Sequence, residues 1–227
     1  MQPLYVLPSD GVDQGIATDG TLTRSLAAMQ AWLASQAHGE RLRITPGPVA
    51  VVRLPQSDAD ISSAGIYVRD RVEELLRGLG YTDARRIYAV WYDGTSVTSC
   101  GGGAWPPVLV GHVAALYLRG RYGSVDCSLD AYSADGVHAA INDLKMLHEI
   151  MHTLGLVPAC APHQTREGHT SDSPNDLMWA GDGVWNPSVL DVGHDDYYST
   201  GRTDCPDLAN SGFLTPLPAH PESPPGW

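Results

Sequence analysis

Apolar positions recur along this chain in two alternating rhythms. Residues 4–7 form a short apolar run stopped by Pro8, the pattern of a strand. Over Thr21–Gln36 the apolar positions Leu22, Leu26, Met29 and Leu33 fall three or four apart, which predicts an amphipathic helix ending near Gly39. Residues 41–44 alternate and residues 49–54 are rich in valine, so each reads as a strand. A second helix is predicted over 64–79, with Val68, Val72, Leu75, Leu76 and Leu79 inside, followed by a central strand at 86–92. Beyond Pro106 and Pro107, residues 108–118 are apolar and β-branched enough for a further strand, in which alternation alone accounts for His112. The order β-α-β-β-α-β predicts an α+β fold, a twisted mixed sheet with helices packed on it.

The next periodic stretch carries chemistry as well as pattern. At 100° per residue, Ala140, Leu144, Leu147, Ile150, Met151 and Leu154 gather on one broad arc. Ile141, Lys145, His148, Glu149 and His152 occupy another, so an apolar face anchors the helix while a polar stripe faces a cleft. Ser133 or Asp135 is the expected cap at its start, and Gly155 the expected left-handed stop. Residues 148–152 read H-E-x-x-H. Histidines four apart on a helix stand one above the other, so His148 and His152 can offer nitrogens to one metal ion, with zinc the expected cofactor. Glu149 lies about 100° around the axis from His148, where it flanks the metal as general base rather than ligand.

Composition narrows the setting. The 227 residues hold 14 Lys and Arg against 26 Asp and Glu, a net charge of −12, which excludes nucleic acid and an anionic membrane as expected partners. No apolar run is long enough to span a bilayer. After Thr170 there are eight aspartates and Glu222 against Arg202 alone, and the cluster Asp191, Asp195 and Asp196 is a candidate calcium site without EF-hand spacing. Cys100, Cys127, Cys160 and Cys205 form an even set suited to two disulfides, the rival being four buried thiols in a cytosolic protein. Order along the chain favours Cys100–Cys127 and Cys160–Cys205, although spacing leaves all three pairings open. Residues 1–10 lack the basic-then-apolar pattern of a signal peptide, so the expectation is a mature secreted domain whose targeting segment lies outside these residues. Gly101, Gly102 and Gly103 lack the strand–loop–helix setting and lysine of a phosphate loop and read as a flexible turn beside a disulfide.

Residues 148–179 resemble the metzincin clan of zinc endopeptidases. His148, Glu149, His152 and Gly155 match its H-E-x-x-H-x-x-G pattern, and Asp176-Leu177-Met178 is similar to its methionine turn. The third ligand departs from the pattern, because Pro158 stands where the clan has histidine or aspartate. An insertion over 158–167 precedes His169, which the resemblance makes the preferred third ligand, with Asp172 and His163 as alternatives. Gly168 would allow the close approach to the metal. Met178 would floor the site without binding zinc. Ala180 occupies the position of the tyrosine that some metzincins place after the methionine; Tyr197 and Tyr198 are weak candidates to approach the cleft instead.

The resemblance implies a single catalytic domain over 1–227. An upper subdomain, 1–155, would carry the sheet and zinc helix. A smaller irregular lower subdomain, 156–227, would carry the third ligand, the methionine turn and a proline-rich extended tail. In a peptide-cleaving enzyme the 108–118 strand would form the sheet edge at the cleft, where an extended substrate adds as a strand. The implied function is that of a secreted, monomeric zinc endopeptidase acting on protein or peptide substrates. The alternative is a zinc-stabilised binding or adhesion module, against which an intact Glu149 counts.

Overall fold

The computed structural model describes residues 1–224. Its elements run β1 (Gln2–Leu7), α1 (Thr21–Gln36), β2 (Arg41–Leu42), β3 (Ala50–Arg53), α2 (Asp58–Ser62), α3 (Val68–Gly78), β4 (Tyr88–Tyr92), β5 (Gly101–Gly102), β6 (Val113–Tyr117), β7 (Arg121–Tyr122), β8 (Val125–Asp126), α4 (Ile141–Thr153) and β9 (Leu214–Thr215). The main sheet has the order β3-β1-β4-β6-β5. Its first four strands are parallel, and β5 runs antiparallel against β6.

Period-two alternation sorts the strand residues between two cores. Tyr5, Leu7, Ala89, Trp91, Ala114 and Leu116 face α1 and α4 in the larger core, whereas Leu4, Val6, Val90, Tyr92, Ala115 and Tyr117 face α3. Both faces of the sheet are therefore covered, which is why β4 and β6 are buried at every position. The larger core also takes in Leu177, Met178, Leu190, Tyr197 and Leu208 from the irregular region after α4.

Several expectations change. The helix expected over 64–79 begins only at Val68 as α3, behind a short turn at Gly65–Tyr67 in which Gly65 has a positive φ of 61°, and the separate short helix α2 precedes it. Residues 41–44 contribute only β2, which leaves the main sheet and pairs with β9. The strand expected over 108–118 shrinks to β6 and lies inside the sheet. The edge belongs to the glycines of β5, expected to be a turn. Residues 108–110 instead form an exposed loop after the cis Pro106–Pro107 bond. Neither Ser133 nor Asp135 caps α4: Asp143, one turn inside, accepts from the backbone N–H groups of Ala140 at 2.7 Å and Ser133 at 3.0 Å. Gly155, at φ 74°, does end it, with Gly155 N–H bonded to His152 O and Leu156 N–H to Met151 O.

The four cysteines form Cys100–Cys127 and Cys160–Cys205, with none free, so the buried-thiol alternative falls. The first disulfide ties β5 to the turn after β8. The second ties the inserted loop to the carboxy-terminal region. The tail runs back over the domain, with Glu222 exchanging backbone bonds with Gly212 and Asn210; residues 225–227 of the expected tail lie outside the described residues. Among the described residues no helix is long and apolar enough to cross a membrane.

Candidate metal centre

Helix α4 sets out the first half of the site. Its apolar arc, with Leu147, Ile150 and Met151, is buried against the sheet, so the opposite stripe holds His148, Glu149 and His152 at one wall of a cleft of about 840 Å3. His148 Nε2 and His152 Nε2 stand 3.0 Å apart. The second half arrives from beyond the inserted loop. Thr165 closes that loop by donating its N–H and its hydroxyl to His169 O, at 2.8 and 3.1 Å. Thr170 N–H then bonds Met178 O at 2.9 Å, so the chain around His169 lies alongside the 176–178 turn. This brings His169 Nε2 within 3.3 Å of His148 Nε2 and 3.1 Å of His152 Nε2.

The triangle fits zinc. Ligand nitrogens about 2.0–2.1 Å from a tetrahedral ion stand about 3.3–3.4 Å apart, and three imidazoles leave a fourth position open. Charge agrees with geometry. Burial, reinforced by His169, pushes the His148 imidazole down to about 3, and burial with its two neighbours pushes His152 well below the usual histidine range. Both rings are thereby held neutral, the form that binds a metal. His148 Nδ1 lies 2.7 Å from Leu177 O, and Trp185 Nε1 donates to the same carbonyl at 3.2 Å.

Glu149 lies beside this triangle on the β5 side. Burial pushes its carboxyl up to about 8, opposed by a backbone hydrogen bond from Gly103 and by Lys145 and Arg69. A cation held by the imidazoles would lower it again. Lys145 itself is paired with Asp130.

The alternative third ligands fall elsewhere. His163 N–H and Nδ1 engage the buried Asp196 at 2.8 and 3.1 Å, and Asp172 is exposed. His163, Asp195 and Asp196 form a second group of gathered ligand atoms, from which Asp191 is absent. Asp191 Oδ2 instead accepts from Tyr197 N–H and Tyr198 N–H at 2.8 and 2.6 Å, a backbone-holding role, and calcium draws no support. Gly168 makes room for the Trp105 indole rather than for a metal, since a Cβ there would stand 2.3 Å from Trp105 Nε1. Tyr197 does not reach the cleft: it is buried and donates to Asp176 Oδ1 at 3.0 Å. Tyr198 is buried beside His38 and His194.

No family model matches the chain, and no curated protein matches it. Among solved structures it is similar to archaemetzincin from Methanopyrus kandleri, at 15% identity over 80% of this chain and 82% of that one, with a TM-score of 0.45. It is also similar to a chain of a chaperone–substrate complex, at 12% identity over 86% of this chain and 32% of that one, with a TM-score of 0.37. At these scores neither likeness bears on what the site does.

Four residues that build the centre have no individual role legible in the sequence. Asp176, fully buried, bonds Met178 N–H at 2.7 Å and Val192 N–H at 2.9 Å. Trp185 belongs to no motif, and Gly101 and Gly103 read only as a turn. An aspartate opening a D-x-M turn is the one signal that pointed at any of them; the glycines needed the packing of β5 on α4.

Proposed function

We propose that this chain is a zinc-dependent endopeptidase in which His148, His152 and His169 hold the metal and Glu149 is the general base. The observation that carries this is the triangle of three Nε2 atoms, 3.0–3.3 Å on a side, with a carboxylate beside it in an open cleft. Zinc, when bound, polarises the scissile carbonyl and acidifies the attacking water. Glu149 accepts a proton from that water as its oxygen attacks the carbonyl carbon. The same carboxyl then delivers the proton to the leaving nitrogen as the C–N bond breaks, giving a carboxylate and an amine. Met178, buried at the end of the 176–178 turn, packs the floor without acting as a ligand. The extended edge of β5 suits a peptide lying along it, and exposed Ile66, Tyr67, Val108 and Tyr122 give the cleft an apolar rim for its side chains. Two disulfides support a secreted protein.

The test is metal analysis joined to cleavage of a broad peptide library. The wild-type chain should hold about one zinc and cleave, and Glu149→Gln should keep the zinc but lose at least about 100-fold in turnover, the usual scale of a general base. Near-wild-type turnover in Glu149→Gln would remove Glu149 from the mechanism. Zinc bound with no cleavage of any peptide would favour the binding-module alternative.

A further inference from the structure

Gly101 of β5 and Gly103 just after it rest directly on α4, while Gly102 between them faces Tyr117 and Arg69. None of them has a positive φ, so backbone conformation does not demand glycine there. Space does. A Cβ on Gly103 would stand 2.5 Å from the Glu149 carbonyl oxygen and 2.6 Å from His152 Cβ. A Cβ on Gly101 would stand 2.4 Å from Glu149 Oε1 and 3.0 Å from Ala115 O.

The two conflicts differ in kind. At position 103 the obstacle is the backbone and first side-chain carbon of a packed helix, which yields only if β5 lifts off α4. At position 101 the nearest obstacle is the far end of a flexible side chain. The same Cβ would also stand 3.0 Å from the Ala115 carbonyl oxygen of β6, so a shift of the strand toward β6 brings no relief. The Glu149 carboxylate is the part that gives way.

We propose that Gly101 is a positioning residue for Glu149: the absence of a side chain at this edge position is what lets the carboxylate lie against β5 beside the three imidazoles. This rests on the endopeptidase reading for its effect on turnover, though not for the placement itself. Gly103 has the complementary role. Its N–H bonds the carboxylate, and its own missing side chain allows β5 to dock on the turn of α4 that carries His152. A cleft wall made of bare backbone follows, and the same atoms that could pair with an extended substrate also confine the general base.

Gly101→Ala tests the placement because its obstacle can move without unfolding the chain. The variant should bind about one zinc with a dissociation constant within about threefold of wild type, while kcat falls at least about 100-fold and KM changes little. A crystal structure should show the Glu149 carboxylate rotated away from β5 with the three histidines unmoved, a readout independent of activity. Glu149→Asp supplies the coupling test, since its shorter side chain withdraws from the space the new methyl takes. The double variant should be no slower than Glu149→Asp alone, because Gly101→Ala acts only through the longer carboxylate. The proposal is overturned if Gly101→Ala turns over like wild type, if its carboxylate has not moved, if it loses zinc together with its fold, or if the two losses simply multiply. A wild-type chain without peptidase activity would instead sink the endopeptidase reading, leaving the placement to be judged from the crystal structure.

Discussion

His148 donates its Nδ1 proton to the Leu177 carbonyl across 2.7 Å. A carbonyl can only accept, so this bond fixes the tautomer and leaves Nε2 unprotonated toward the cleft. The orientation of the first imidazole is thus set from 29 residues further along the chain. The carbonyl is itself held in place, because Asp176 bonds Met178 N–H, Val192 N–H and the Tyr197 hydroxyl around it. Outer partners of this kind commonly matter about 10–100-fold in metal affinity.

Asp176 makes this support sensitive to pH. Burial pushes its carboxyl up to about 7 against the pull of its donors. A folded value above the unfolded one, about 3.9, means the protonated form is favoured by folding. Its stabilising contribution is therefore full below about pH 4 and is lost as pH rises through about 7. Asp176→Asn should remove that slope while lowering stability at all pH values, since an amide nitrogen cannot accept from Val192 N–H. Urea midpoints measured across this window in both proteins check it; parallel slopes would show that Asp176 does not titrate as its burial implies.

The three candidate third ligands separate under one metal titration. His169→Ala should weaken zinc binding by orders of magnitude and abolish turnover, leaving two imidazoles. His163→Ala should leave zinc affinity within about threefold, and loss of its side-chain bond to the buried Asp196 should cost about 1–3 kcal/mol. Asp172→Asn should change neither, because its side chain is exposed and away from the triangle. Loss of zinc from His163→Ala with retention in His169→Ala would place the ligand inside the loop.

Met178 is buried in the larger core, and both its backbone N–H and its carbonyl are engaged by the turn and by Thr170. The expectation is that its thioether contributes volume rather than a bond to a metal. Met178→Leu, close in volume, should cost less than about 1.5 kcal/mol by thermal unfolding and keep its zinc. A folded Met178→Leu protein without zinc would give the sulfur a role that packing does not explain.

Local rules carried much of this from residues alone. Leu22, Leu26, Met29 and Leu33 repeat at helical spacing, and α1 spans Thr21–Gln36. The apolar run at 86–92 becomes β4, buried on both faces. His148 and His152 share a helix face because the α-helical period puts them there. Where the local signal was the same but the context differed, the reading went astray. Residues 108–110 are more β-branched than β6, yet they lie in an exposed loop beside the cleft. Gly101-Gly102-Gly103 looks like a turn because glycine is rare in strands, and only pairing with β6 makes its first two residues an edge strand.

By itself the sequence determined what a period of 3.6 or 2 and a short motif can encode: the helix with two stacked histidines, the glutamate between them, and the glycine that ends it. Only the tertiary structure decided which imidazole joins them, because the insertion over 158–167 removes any fixed spacing between Gly155 and His169. It alone shows that Asp176 and Trp185 surround the Leu177 carbonyl that meets His148, and that a Cβ on Gly101 would meet the Glu149 carboxylate. Those facts depend on distances between segments far apart in the chain, which packing sets and no local periodicity records.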